Sequence, residues 1–112
     1  MLYTASFWAK TDLPRYSIAL SQPKGMALPR LSCIMPPSST FRDIKAGRID
    51  WAEYTRQYLE MLDDNRQYIM GIMETFAEPV VLCCWERHPE NCHRSLLAAW
   101  LTKNGIPTEE LE

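Results

Sequence analysis

The sequence predicts an α/β domain: small, three-layered and Rossmann-like, with a mostly parallel central sheet and flanking helices. Three observations carry this. Short strand-like segments come first, helical periodicity begins at Asp50, and the apolar run Pro79-Val80-Val81-Leu82-Cys83-Cys84 leads into a last helix. That run lacks polar alternation, which is how a strand buried on both faces reads. Strands, then helices, then a buried strand feeding a helix make layered α/β architecture the expected solution, with residues 80–84 as the central strand.

Each element has its own signal. The aromatic segment Leu2 to Trp8, bounded by Lys10-Thr11-Asp12 and Pro14, suits a strand. Tyr16 to Leu20 suits a second, closed by the turn chemistry of Ser21-Gln22-Pro23-Lys24-Gly25. Leu31 to Met35 is a third short apolar piece that stops at Pro36-Pro37, so residues 22–40 read as loop-rich. Loops of that length usually carry function or mobility. Asp50, with Glu53 three residues on, reads as an N-cap with its capping-box partner. Trp51, Tyr54, Tyr58 and Leu62 then recur at helical spacing; after Asp63-Asp64-Asn65, Ile69, Ile72, Met73 and Phe76 form a second stripe. Two helices at an angle and one kinked helix fit this equally well. Glu78-Pro79 ends the segment, because the residue before a proline is biased out of the helical region. The last helix starts near Asn91 or Cys92, buries Leu96, Leu97, Trp100 and Leu101, and stops at Asn104-Gly105 with Pro107 beyond. Thr108 to Glu112 is acidic and reads as frayed.

Composition narrows the function classes. With 112 residues, the chain fits a single domain spanning residues 1–112. Hydrophobic residues at 46% and charged residues at 23% argue against disorder. A net charge of -2 provides no global basic field, so any nucleic-acid contact has to be local. No apolar run approaches the roughly 20 residues of a membrane helix, and the first eight residues are too polar for a signal peptide. The cysteines are Cys33, Cys83, Cys84 and Cys92; three crowd one segment, unlike a secreted disulfide framework, so a cytoplasmic protein with reduced thiols is expected. There is no Ser-His-Asp elbow, Walker loop or dinucleotide fingerprint, and no cofactor is expected.

The chemistry concentrates between Cys83 and Ser95: Cys-Cys-Trp-Glu-Arg-His-Pro-Glu-Asn-Cys-His-Arg-Ser. In open α/β sheets ligands bind outside the carboxyl ends of strands, and a helix N-terminus there favours an anion. Arg94 falls where the helix dipole disfavours a cation, so something negative should answer it. Glu86 and Glu90 are the internal candidates, and a phosphate or carboxylate ligand is the external one. Cys92, near the helix N-terminus and beside His93 and Arg94, is expected to ionise readily and to serve as a nucleophile; a small buried hydrophobe is the plainer alternative. Cys84, at the strand end, could approach Cys92, whereas Cys83 belongs to the core. His93 shares a helical side with Leu97 and Trp100, which favours a buried, hydrogen-bonded histidine that orients the loop. Trp85, Trp51 and the tyrosines read as core and pocket wall. Cys84, His88, Cys92 and His93 are all metal-ligand types. Their spacing lacks the paired-cysteine pattern of structural zinc, and neighbours on a helix point about 100° apart, so no metal is expected.

At these residues the chain resembles the domain of unknown function 488 family, whose members carry a buried strand, Cys-x-Glu, a short loop and Cys-His-Arg opening a helix. Here those are Leu82-Cys83-Cys84-Trp85-Glu86, His88-Pro89-Glu90-Asn91 and Cys92-His93-Arg94-Ser95-Leu96-Leu97. The short bacterial and phage form also has a serine-proline segment similar to Ser21 and Pro23, and a helix resembling Glu53-Tyr54 to Tyr58 and Leu62. Longer members have a glycine-serine turn and an aspartate-arginine motif where this chain has Thr4-Ala5-Ser6-Phe7 and Ile18-Ala19-Leu20-Ser21. The resemblance implies an α/β fold and a shared site at Cys84, Glu86, Cys92, His93 and Arg94.

Two functional expectations follow. In one, a small anionic ligand (nucleotide, phosphosugar or nucleic-acid phosphate) is bound by Arg94, Ser95 and Cys84 with Ser6, Ser21 and Lys24 from neighbouring strand ends, while Cys92, Glu86 and His93 carry the chemistry. In the other, the Cys-His-Arg block is a structural clasp in a non-catalytic module, such as a phage protein, that docks on a protein partner through aromatic residues or the loop at residues 22–40.

Overall fold

A computed structural model describes residues 1–86 and 92–111. Its sheet contains β1 (Leu2–Ser6), β2 (Arg15–Ser17), β3 (Val81–Cys84) and β4 (Thr108–Glu110), ordered β2-β3-β1-β4, with every pairing parallel. Four α-helices accompany it: α1 (Ser38–Lys45), α2 (Trp51–Asp64), α3 (Arg66–Met73) and α4 (His93–Lys103). This is the α/β domain with a parallel sheet that the sequence predicts. The apolar run at 80–84 forms an inner strand, wholly buried and paired on both sides.

The helix signals are realised locally. The Asp50 side chain accepts from Glu53 N–H at 2.9 Å, while the Glu53 carboxylate turns away to Arg56 and Gln57, so half of the capping box forms. Tyr54, Tyr58 and Leu62 are buried, and Trp51 is half-buried. The break at Asn65 separates two helices. Helix α4 packs on β1, β3 and β4, and α2 packs on α4 and α1, so the helical stripes and the sheet share one core. Gly105, at φ 96°, closes α4 in the left-handed conformation that glycine adopts without strain.

Four expectations are corrected. The second strand stops at Ser17, because residues 18–21 turn away toward a cavity described below. Leu31 to Met35 is no strand: Ser32–Ile34 form a single 3-10 turn. The loop-rich stretch ends early, since α1 begins directly after Pro37, a residue whose fixed φ suits a helix start. The acidic tail is not frayed through Glu110. Thr108–Glu110 pair with Leu2–Thr4, and Glu110 holds Arg94 Nε and Nη2 at 3.0–3.1 Å while accepting from Thr4 Oγ1 at 2.8 Å.

Arg94 has no exposed surface, whereas the Glu110 side chain keeps 33% of its own. Glu110→Ala should therefore lower stability by about 2–3 kcal/mol, below the full cost of stranding a charge between two buried partners. Urea unfolding will measure it; a loss below about 0.5 kcal/mol would mean the pair does not anchor β4. Asp50→Ala should cost about 1 kcal/mol in the same assay, through the lost cap alone.

Candidate functional site

A cavity of about 650 Å³ opens at the carboxyl ends of β2 and β3. Ala19, Leu20 and Ser21 follow β2; Cys84, Trp85 and Glu86 close β3; Cys92 and His93 open α4. Trp51 and Tyr54 come from α2, and Phe41, Ile44 and Lys45 from α1. The Trp51 and Tyr54 rings are stacked with centroids 4.9 Å apart. Trp85 is pinned across the opening, its Nε1–H donating to Ser21 O at 2.9 Å and to Ser21 Oγ at 3.1 Å. The walls are thus aromatic and the floor carries sulfur and imidazole.

The floor is built around Arg94. Its Nη1 donates to Cys84 Sγ at 3.1 Å and, through a short bond, to the Glu86 backbone oxygen. Among the described residues the negative charge that answers it is Glu110, which lies 16 residues downstream in β4 and outside the chemistry-bearing block. Glu86 contributes a carbonyl instead of its carboxylate, which leaves its exposed side chain at the cavity. A guanidinium buried and engaged in this way cannot itself grip a ligand phosphate, so the expected direct role of Arg94 is corrected to one of holding β3, β4 and the floor together.

His93 is also buried, and its Nε2 lies 2.7 Å from Ile18 O. A carbonyl can only accept, so Nε2 carries the proton and Nδ1 keeps its lone pair. That lone pair lies 3.8 Å from Cys92 Sγ. The Cys84 and Cys92 sulfurs are themselves in disulfide contact, with Cα atoms 7.6 Å apart, and the ligand atoms of Cys84, Cys92 and His93 all lie within 4.8 Å of one another. The expected divergence of Cys92 and His93 presumed two helical residues. Cys92 is instead the cap, extended at φ -125° and ψ 141°, and this backbone turns its sulfur toward the imidazole.

The remaining candidates separate. Ser21 lines the cavity, whereas Ser6 receives Trp8 N–H at 3.3 Å and Lys24 is exposed on the 22–28 loop; neither is among the lining residues. Ser95 donates its hydroxyl to Cys92 O at 2.9 Å, inside the helix turn. Cys83 is core, and burial pushes its thiol up to about 11. His88, Glu90 and the expected helix start at Asn91 lie outside the described residues. Sequence reasoning missed Lys45, the cation that lines the cavity, because it rides on a helix hidden behind Pro-Pro-Ser-Ser. It missed Glu110 because two glutamates at a terminus give no strand signal.

Burial pushes the pKa of His93 down to about 4 from an ordinary 6.5. The unfolded chain then binds more protons than the folded one between these values. The contribution of neutral His93 is complete above about pH 6.5 and falls away by ~3 kcal/mol as pH drops toward 4. The stability difference between wild type and His93→Gln should shrink over that window in urea titrations. A difference that stays constant with pH would show that the imidazole is not held neutral.

The family profile described as "Active DUF488-N3 subclade" matches residues 10–105, which includes the whole cavity lining. Nothing matches among the curated proteins or the solved structures. With the profile covering most of the chain and the Cys-x-Glu and Cys-His-Arg residues forming one floor, the chain belongs to the DUF488 family, as a member of its N3a group.

Proposed function

We propose that the cavity is the active site of an enzyme acting on a small anionic ligand with a planar ring, of the nucleotide class, through thiolate chemistry. The observation that carries the reading is one of composition in space: aromatic walls, a lysine amine and two paired cysteine sulfurs beside a neutral imidazole share one cleft. Trp51 and Tyr54 offer stacking surface to a base, an interaction of about 1–3 kcal/mol. Lys45 pairs with the anionic group, and Ser21, whose Oγ accepts from Trp85, donates its own hydroxyl proton to it. In the reduced chain Cys92 is the nucleophile of the floor beside Cys84, and Glu86 is the acid/base group at its mouth. The matching subclade is described as active, which supports an enzyme over a clasp. The chemistry needs these sulfurs reduced, which a reducing, cytoplasmic setting supplies. Among the described residues no helix is long and apolar enough to cross a membrane.

Thermal-shift titration with nucleoside monophosphates, ribose 5-phosphate and inorganic phosphate tests this. A nucleotide should raise Tm more than the two ring-free phosphates, and Lys45→Glu and Trp51→Ala should each weaken its binding about tenfold, or ~1.4 kcal/mol. If no nucleotide shifts Tm, or if both variants bind as wild type does, the reading is wrong.

A further inference from the structure

We infer that Cys84, Cys92 and His93 form a site for a soft divalent metal ion, zinc by the chemistry of its donors, with one coordination position open to the cavity. Three observations converge. The donor set is two sulfurs and one imidazole nitrogen, within 4.8 Å of one another. This is the Cys2His set of three-ligand zinc centres, which keep a fourth position for a small molecule. All three residues line the cavity, so that position faces the space a ligand occupies.

The outer shell is already built. Metal-bound histidines typically donate their second ring nitrogen to a carbonyl or carboxylate, which fixes the tautomer. His93 Nε2 does so to Ile18 O at 2.7 Å, leaving Nδ1 available on the Cys92 side. Arg94 Nη1 donates to Cys84 Sγ at 3.1 Å and holds that sulfur in place, while Glu110 neutralises the guanidinium.

The backbone spacing agrees. The 7.6 Å between the Cα atoms exceeds the separation that a disulfide ordinarily bridges, about 4.4–6.8 Å. Two thiolates on one tetrahedral zinc sit about 3.8 Å apart, and a thiolate and an imidazole nitrogen about 3.5 Å, from bonds of about 2.3 and 2.0 Å. The observed Cys92 Sγ to His93 Nδ1 distance is 3.8 Å. Separating the two sulfurs to that spacing suits the wide Cα pair.

The inference rests on the proposed cavity function only for what fills the fourth position, the sulfurs being ligands when the metal is bound and free to react only in the metal-free reduced chain, and its test is independent of any nucleotide. Reduced, metal-stripped chain is titrated with zinc against a chromophoric chelator. One equivalent per chain should bind. Cys84→Ser and Cys92→Ser should each weaken binding at least tenfold, whereas Cys33→Ser should not, since Cys33 is not in the cluster. Cobalt in place of zinc should give thiolate-to-metal charge-transfer absorption that falls by half or more in each variant. In the wild type, zinc should protect Cys84 and Cys92 from alkylation while Cys33 remains reactive, read by peptide mass, so a variant that misfolds does not decide the matter. No zinc uptake, uptake indifferent to both cysteines, or a Cys84–Cys92 disulfide that persists in reducing buffer and excludes zinc overturns the site. A nucleotide shift without zinc uptake removes the metal and keeps the cavity function; zinc uptake with no nucleotide shift does the reverse.

Discussion

A guanidinium with no surface left to water has to find its acceptors inside the protein, and among the described residues they come from three separate places. Glu110 supplies a carboxylate from the last strand, Cys84 a sulfur from the end of an inner strand, and Glu86 a carbonyl from the residues beyond it. Arg94 sits in the first turn of α4, where the helix dipole repels it. Its burial there makes sense only because these acceptors meet it together. The same contacts decide that β4 joins the sheet, that α4 enters at a fixed angle, and that Cys84 faces Cys92.

The cavity follows from that arrangement. Parallel strands release their chain at one edge of the sheet, and there the chain turns after β2, after β3 and into α4. Cys92 is the extended cap of α4, so its sulfur and the His93 imidazole, neighbours in sequence, become neighbours in space. Ile18 O then selects the tautomer of His93. Tyr58 meets the ring edge-on with centroids 5.5 Å apart and is itself held by Ile34 O at 2.7 Å. The floor is thus supported by core aromatics on one side and the Arg94 network on the other.

What lines the opening is of a different character. Phe41, Lys45 and Trp85 are exposed, and they reach the cavity from a short helix and from the residue that follows β3. The rim can therefore vary in sequence without disturbing the buried floor. Rim and floor residues thus have different structural obligations, which is a common division between scaffold and loop positions.

Local physics made much of the architecture legible. An unbroken apolar run marks a doubly covered strand, Asp50 marks a helix start, Asn65 a break and Gly105 a stop, because each acts on backbone groups within a few residues. The convergence of Cys84 with Cys92 was also visible, since a strand end and the helix after it must lie close. Tertiary structure alone decided the rest. The partner of Arg94 is in a strand that exists only because β1 offers it a free edge, and no property of Thr108-Glu109-Glu110 announces that pairing. Lys45 reaches the cavity only because α1 packs on α2. Long-range charge pairing and edge-strand addition are settled by which surfaces meet after collapse, and sequence spacing carries no record of that.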